Sequence, residues 1–300
     1  MAEVGEPDTS AEDVENDWEL DGFELAADAW VAVAGDGRLV GYAYTGDQFR
    51  TGELEADLWV APAWDEAGLA ARLLGLMERR GRELAAARGY GDAAVLDVFA
   101  LATNHAKTAL LRGHGFALRR TVYRMTIDLA GGKALPLPPP QGIVIRPFRA
   151  GEDDRVMFAT MSDAFADHFR RSDEPFAAWR DRLMGHGDFD PGLWALAWDD
   201  REAVGALIAY DHGDLGWVKG LGVRRQWRRG GLGGALLAHA FAALAARGQT
   251  RVDLGVDAEG KTRPLRLYER AGMRVTGAYE LYEKRLAGQG PAAPGTAPPG

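Results

Sequence analysis

The stretch Val223-Arg-Arg-Gln-Trp227-Arg-Arg-Gly-Gly231-Leu-Gly-Gly-Ala-Leu-Leu237 decides how the second half of the chain folds. It follows an apolar run and leads into residues whose apolar side chains recur at helical spacing. Glycines at such a turn let the backbone approach a ligand closely and leave several N–H groups unpaired. The positive end of the helix dipole adds to these groups. The stretch therefore predicts a phosphate-binding turn between a strand and a helix.

The predicted phosphate-binding loop is built from two arginines, three glycines and one leucine: Arg228, Arg229, Gly230, Gly231, Leu232 and Gly233. Arg224 and Arg225 precede it, so four guanidinium groups extend the positive charge of the turn. A glycine-rich turn with a solvated arginine face is the simpler alternative. The order of strand, Arg/Gly loop and amphipathic helix favours the anion site.

Two blocks of the first half recur in the second half in the same order. Residues 60–74 match residues 223–237, with a Trp and a Gly at equivalent places, and residues 110–116 match residues 267–273. Chance similarity between helices rich in Ala, Gly and Leu is the alternative. The shared Trp and Gly positions favour the duplication of one domain.

Changes in composition divide the chain into five segments. The first is acidic and poor in large apolar residues, as mobile segments are. A Pro-rich linker separates the two repeats, and a Gly/Pro-rich tail that cannot build a core follows the second. The predicted segments are 1–20, 21–132, 133–141, 142–287 and 288–300.

The charge and composition exclude several classes of function. The net charge is −9, and residues 1–20 carry eight acidic side chains and no basic one, so the remainder is close to neutral. A near-neutral body lacks the broad basic field that binds nucleic acid or a membrane surface. The chain has no cysteine, and its six histidines show no metal-ligand spacing, so we expect no metal. With no signal peptide or apolar membrane-length run, we expect a cytoplasmic protein.

Periodicity in the second half predicts alternating strands and helices, and therefore an α/β fold built on a mixed sheet. The predicted strands are 143–148, 193–198, 203–210, 218–223, 251–256 and 274–285. The predicted helices are 153–166, 176–184, one that starts at Leu232, and 264–271.

In these features the second half resembles the GNAT superfamily of acyl-CoA-dependent N-acetyltransferases. The family's motif Gln/Arg-x-x-Gly-x-Gly/Ala is matched by Arg228, Gly231 and Gly233. The whole chain resembles tandem GNAT proteins, an arrangement also found in mycothiol synthases, with a first domain that is degenerate or truncated. The resemblance implies acetyl-CoA as co-substrate and, by analogy with the tandem proteins, a small-molecule amine as acceptor.

The resemblance also implies roles for residues outside the loop. The family's strand holds the pantetheine arm by backbone groups at the positions of Leu221, Gly222 and Val223. Tyr268 stands where the family often places a tyrosine beside the cofactor sulfur, so we predict that it protonates or hydrogen-bonds the leaving thiolate.

This sequence departs from the family's pattern at two places. Gly260 replaces a frequent Asn, and the strand 216–223 lacks the carboxylate that often acts as general base. The base is therefore unassigned, and four residues are candidates for it: Asp211, His212, Asp167 and His168. An ordinary surface role is the alternative for each, and a water chain or an already deprotonated amine would replace a dedicated base.

We predict that the first repeat is a chemically silent partner domain. Asp65 and Glu66 stand where the second repeat has Arg228 and Arg229, and carboxylates repel phosphate. Leu111 stands in place of Tyr268.

Two other classes of function stay open. The missing base permits a non-catalytic acyl-CoA-binding or scaffold protein. Gly255–Thr262 matches the pattern GxxxxGK[ST] of P-loop NTPases. The acidic residues inside that match, Pro264 two residues after it and the short remaining chain disfavour the NTPase.

Overall fold

The computed structural model describes residues 23–47, 50–65, 68–130, 137–166, 174–185, 187–259 and 265–286. Its contacts divide the chain into two compact units. Unit 1 comprises Met1–Ala100, Asn104–Arg119 and Leu281–Gly300, and unit 2 comprises Leu101–Thr103 and Arg120–Glu280. These units follow spatial contacts and are not continuous in sequence, whereas the boundaries near 132 and 142 remain predictions about the repeats.

Unit 1 is a sheet with one long helix packed on it. Its strands lie in the order β1-β2-β3-β4, antiparallel except for the parallel pair β3–β4. The long helix α3 packs against β2 and β3 through Leu73, Leu74 and Met77, which are almost completely buried. Its elements are α1 (Leu25–Asp28), β1 (Ala29–Val33), β2 (Leu39–Gly46), β3 (Glu53–Val60), α2 (Pro62–Asp65), α3 (Leu69–Arg88), a 3₁₀ turn (Gly91–Ala93), β4 (Val95–Leu101) and α4 (His105–Gly113).

Unit 2 is a larger sheet with helices on both faces, and its strands lie in the order β11-β5-β10-β9-β8-β7-β6. Arg120–Asp128 of β5 belongs to this unit, and β5 pairs antiparallel with β10. The elements are β5 (Ala117–Asp128), β6 (Val144–Pro147), α5 (Asp154–Ala164), α6 (Phe176–Met184), β7 (Ala195–Trp198), β8 (Ala203–Asp211), β9 (Gly216–Val223), α7 (Leu232–Ala246), β10 (Arg251–Asp257), α8 (Leu265–Arg270) and β11 (Arg274–Arg285), with 3₁₀ turns at Pro191–Leu193 and Arg225–Trp227.

The α/β fold predicted from the sequence is confirmed. The helix at 176–184 and the strand at 274–285 have the predicted bounds, and each of the other predicted elements is present with its ends shifted by no more than two residues. The acidic residues 1–20, the tail 288–300 and Gly260 lie outside the described residues. In the described parts of the chain, no helix is both long and apolar enough to cross a membrane.

The core of unit 2 is centred on β8, whose residues Ala203–Tyr210 are all buried. A strand covered on both faces reads as a continuous apolar run, and β8 does. Leu236, Phe241 and Leu244 of α7 are buried in the same core cluster, as is Met157 of α5. The sheet therefore has α7 on one face and α5 on the other, and both helices contact β8 and β9.

Two glycines of β9 allow α5 to lie unusually close to the sheet. A Cβ added to Gly222 would lie 2.8 Å from the Cβ of Ala164 and 3.1 Å from the sulfur of Met161. A Cβ on Gly220 would lie 2.5 Å from the terminal carbon of Met161. The helix therefore packs directly on the strand backbone, and its last residue, Ala164, lies against the end of β9.

We expect Gly222→Ala to lower the free energy of unfolding by about 1–3 kcal/mol, because the new methyl group meets the rigid Cβ of Ala164. Denaturant unfolding would measure this. Gly255→Ala is the matched control, since its Cβ would meet Val122 at 3.4 Å, an ordinary contact distance. A Gly222→Ala variant as stable as Gly255→Ala would show that α5 moves freely away from β9.

Candidate acyl-CoA site

An opening in the unit 2 sheet defines the candidate site. The parallel strands β9 and β10 pair only at Gly216↔Val252 and Trp217↔Asp253. Beyond that point β9 continues to Val223 and β10 to Asp257, so the two strands separate towards their carboxyl ends. Ligands of open α/β sheets bind outside the carboxyl ends of the strands.

A β-bulge in β9 begins where the strands separate. The register with β8 shifts between Ile208 and Ala209, which pair with Gly220 and Val218 and leave Lys219 as an extra residue on β9. A bulge bends the strand that carries it and re-aims its side chains. This bend accounts for the separation of β9 from β10.

The predicted pantetheine-binding residues and phosphate-binding loop lie together at this opening. Leu221, Gly222 and Val223 form the end of β9, and the chain returns within eight residues to the start of α7. A Cβ on Gly233 would lie 3.9 Å from Val223 and 3.1 Å from Leu267 of α8. Gly233 is therefore the residue at which β9, α7 and α8 meet.

Gly231 sets the geometry of the loop. It adopts the left-handed conformation (φ 90°, ψ −7°) directly before α7, and a Cβ there would have no atom within 4 Å. The α7 hydrogen bond from Ala235 N to Gly231 O spans 3.1 Å, and the N–H groups of Leu232, Gly233 and Gly234 precede it. Such N–H groups have no partner within the helix. The loop thus presents free donors at the positive helix end, in front of open space.

The four arginines of this turn divide into two kinds. Arg228 donates from Nε to Val223 O (3.0 Å) and from Nη2 to Ala164 O (2.8 Å), so its side chain holds the loop in place. Arg224 forms ion pairs with Glu202 and Asp163. Arg225 and Arg229 are exposed, and Arg229 has a left-handed backbone (φ 69°) that is uncommon outside glycine. Arg229 is therefore the loop arginine best placed to reach an anion.

Tyr268 lies on α8, next to the Leu267 that packs on Gly233. Its side chain is 9% exposed, and burial raises the pKa of its hydroxyl to about 12. The phenol therefore keeps its proton at neutral pH and can donate a hydrogen bond to a developing anion.

The structure does not bring Asp211 and His212 to the opening. Asp211 pairs with Gly216 at the start of β9, five residues before Leu221, which is about 17 Å at strand spacing. The Asp211 carboxylate accepts hydrogen bonds from Gln249 and Gly213, and the His212 ring is paired with Asp188. Asp167 and His168 lie outside the described residues.

Asp253 is a residue of the opening that the sequence did not single out. It is completely buried on β10 at the last pair with β9. Burial alone would raise the pKa of its carboxyl, but hydrogen bonds from Arg251, Thr126 and Arg124 outweigh that effect and lower it. A carboxylate held in this way is a weak proton acceptor.

Three aromatic residues between β6 and β7, Phe165, Phe169 and Trp179, are candidates from the sequence for an apolar wall of the acceptor pocket. Trp179 is buried and packs against Phe158, Phe176 and Trp194, so core packing explains it. Phe165 packs beside Gly222, 3.5 Å from the position of its absent Cβ. Phe169 lies outside the described residues.

The equivalent strands of unit 1 stay together for longer. β3 and β4 form four parallel pairs, from Glu53↔Val95 to Ala56↔Val98, and the register of β2 with β3 has no shift. Leu111, in the place of Tyr268, is completely buried. Glu66 and the Asp65 side chain lie outside what the structure describes, so the silence of this repeat remains a prediction.

Comparison with known proteins supports the resemblance to GNAT acetyltransferases. The sequence profile of the Acetyltransferase (GNAT) family matches residues 2–116 and 156–273. Mycothiol acetyltransferase from Geodermatophilus obscurus is 34% identical over 254 residues, which cover 81% of this chain and 77% of that protein. Mycothiol acetyltransferase from Acidothermus cellulolyticus is 32% identical over 267 residues, which cover 82% of this chain and 76% of that protein.

Solved structures agree with the sequence comparisons. The crystal structure of a GCN5-related N-acetyltransferase from Sphaerobacter thermophilus is 31% identical, with a TM-score of 0.78, and covers 94% of this chain and 88% of that one. A tandem GNAT protein from the clavulanic acid biosynthesis pathway shares the fold at a TM-score of 0.61 and 17% identity, covering 87% of this chain and 83% of that one.

The chain belongs to the GNAT family of acetyltransferases and contains two GNAT regions in tandem. The predicted family, fold class and enzyme class are thereby confirmed. The structure disfavours the P-loop reading of this match, because Gly255–Asp257 lies within β10 and the described part of α8 has six residues. Residues 260–262 of that match are outside the described residues.

We expect Arg229→Gln to weaken acetyl-CoA binding about three- to tenfold, because the variant loses an exposed charge that we predict to contact phosphate, while the fold is unaffected. Arg228→Gln should lower the melting temperature as well, because two carbonyl groups lose their donor. Titration calorimetry and thermal unfolding would measure both effects. Arg149→Gln, which replaces an exposed arginine five residues before the start of α5, is the charge-matched control. Equal affinities for Arg229→Gln and Arg149→Gln would exclude Arg229 from the site.

Proposed function

We propose that the protein transfers an acetyl group from acetyl-CoA to a primary amine of a small molecule, in the site of unit 2. The separation of β9 from β10 in front of the glycine turn at the α7 N-terminus carries this proposal. That arrangement offers a slot for an extended arm and, at one end of it, free N–H donors for a pyrophosphate. The name of the relatives, mycothiol acetyltransferase, supports a small-molecule acceptor over a protein.

The proposed reaction is a direct attack of the neutral amine on the thioester carbonyl. The new bond joins nitrogen to the carbonyl carbon, the carbon–sulfur bond breaks, and the nitrogen releases one proton to solvent. Holding both substrates in the opening supplies most of the acceleration through positioning. A backbone N–H of β9 near Leu221–Val223 polarises the carbonyl oxygen as negative charge develops on it.

Tyr268 is the proposed partner of the leaving thiolate. A thiol has a pKa near 8.5, whereas the Tyr268 hydroxyl has a pKa of about 12. Complete proton transfer to the thiolate would thus be uphill by roughly 4–5 kcal/mol. The hydroxyl therefore acts as a hydrogen-bond donor whose contribution grows as the carbon–sulfur bond breaks, and solvent delivers the final proton to sulfur.

No general base is needed when the amine binds in its neutral form. An alkyl amine has a pKa near 10.4, so its reactive fraction increases about tenfold per pH unit around neutrality. Tyr268 holds its proton until about pH 12 and adds no falling limb below that. Binding of the neutral amine is consistent with the weak basicity of Asp253 and with the remote positions of Asp211 and His212.

Amine-dependent release of free CoA thiol, measured over a panel of small amines, amino sugars and a lysine peptide, tests the proposal. We expect turnover with at least one small amine and none with the peptide. The scaffold alternative gives a different result, namely binding of acetyl-CoA without amine-dependent thiol release. Turnover confined to the peptide would reject the small-molecule acceptor.

We expect Tyr268→Phe to reduce kcat roughly 10²-fold with little change in the KM for acetyl-CoA, because the lost hydrogen bond forms mainly in the transition state. Steady-state kinetics at saturating amine would measure it. Tyr210→Phe is the control, since Tyr210 is also buried in unit 2 but donates to Leu183 O. That variant should lose stability and keep its kcat. A Tyr268→Phe enzyme with normal kcat would leave Tyr268 a packing role alone.

A further inference from the structure

The linker residue Leu137 lies beside the first turn of α7. A Cβ placed on Gly234 would lie 2.9 Å from Cδ2 of Leu137 and 3.9 Å from Cδ1 of Leu267. The two leucines thus approach the same point, one from the linker and one from α8. Leu137 is nevertheless 51% exposed, so much of its apolar surface has no cover.

This exposed leucine is close to the open position of the loop. Gly231 is the N-cap of α7 and Gly234 lies in its first turn, so the two residues are less than one helical turn apart. The space in front of Gly231 is open, whereas the space in front of Gly234 is filled by Leu137. A ligand whose phosphates occupy the loop at Gly231 would therefore meet the Leu137 side chain at the edge of the loop.

The chain around Leu137 favours a fixed position for it. Pro138, Pro139 and Pro140 follow directly and restrict the backbone. Pro140 O accepts a hydrogen bond from Ile143 N (3.0 Å), and Ile143 is buried in the unit 2 core. A pre-positioned apolar side chain loses little conformational freedom when a ligand covers it.

We propose that Leu137 contacts acetyl-CoA, packing against the branched dimethyl group of its pantoyl segment. This inference rests on the proposed acetyl-CoA site. If the pyrophosphate lies on the loop and the sulfur lies near Tyr268, the arm between them passes the first turn of α7 and Leu267. The dimethyl group is the apolar part of the arm nearest the pyrophosphate, and Leu137 is the exposed apolar side chain at that point. Leu137 thereby forms part of one wall of the cofactor site.

Titration calorimetry on the full chain with two ligands tests the contact. Acetyl-CoA carries the pantoyl group, and adenosine 3′,5′-bisphosphate does not. We expect Leu137→Ala to weaken acetyl-CoA binding about three- to tenfold, as loss of partly buried apolar surface would. Binding of the bisphosphate should not change, and Leu137→Met should restore affinity to within about twofold. Leu118→Ala, which removes a leucine of similar exposure (48%) from β5, is the matched control.

Other outcomes overturn the proposal in distinguishable ways. Unchanged acetyl-CoA affinity in Leu137→Ala excludes the contact, and tighter binding shows that Leu137 obstructs the site. An equal loss for both ligands, or a fall in melting temperature as the only effect, shows that Leu137 supports the loop instead. A wild-type protein that binds no acetyl-CoA overturns the proposed function together with this inference. Normal turnover with an unaffected Leu137→Ala variant overturns the inference alone.

Discussion

The guanidinium group of Arg228 joins the end of β9 to the end of α5, and the candidate site depends on this connection. It donates to the carbonyl oxygens of Val223 and Ala164, two acceptors at the carboxyl ends of a strand and a helix. The last carbonyl groups of a helix lack intrahelical partners, and a cation there also complements the helix dipole. One side chain therefore satisfies two backbone groups and fixes where the loop leaves the sheet. The glycine turn can then expose its own N–H groups, because its position does not rely on pairing them.

In this arrangement, the side chains that hold the loop differ from the groups that we propose to bind the ligand. Arg228 holds the loop, and Arg224 is engaged with Glu202 and Asp163, so the proposed anion site relies on Arg229 and the helix end for positive charge. Backbone donors are well suited to this role because they are fixed before the ligand arrives and lose no side-chain entropy on binding. The left-handed backbone of Arg229 is energetically unfavourable. It is retained because Gly230 and Gly231 turn the chain sharply into α7.

The sequence predicted the loop and most of unit 2 because their signals are local. Helical periodicity after Leu232 and the glycines before it locate the turn within a few residues of chain. The sequence could not predict that Arg228 bonds the loop to the end of α5, because its partner Ala164 lies 64 residues away in sequence. The same holds for Asp253, whose partner Arg124 lies 129 residues away. The pairing of β5 with β10 also joins distant segments, and it places residues of the first predicted domain in the sheet of unit 2.

The bulge at Lys219 and the glycines of β9 together allow α5 to pack directly on the strand. Before the bulge, Gly216 faces Leu244 of α7. Side chains alternate along a strand, so an uninterrupted β9 would direct Gly220 and Gly222 towards α7 and Leu221 and Val223 towards α5. The extra residue reverses the alternation: Gly220 and Gly222 meet α5, and Val223 approaches Gly233 of α7.

Without the reversal, Leu221 and Val223 would occupy the space in which Ala164 and Met161 lie, and α5 could not approach closely enough for Arg228 to reach Ala164 O. The same residue bends β9 away from β10 and opens the sheet. The one inserted residue thus accounts for the opening between β9 and β10 and for the close approach of α5 that lets Arg228 bond Ala164 O. The unshifted register of β2 with β3 in unit 1 is consistent with this, because there the parallel strands stay paired over four positions.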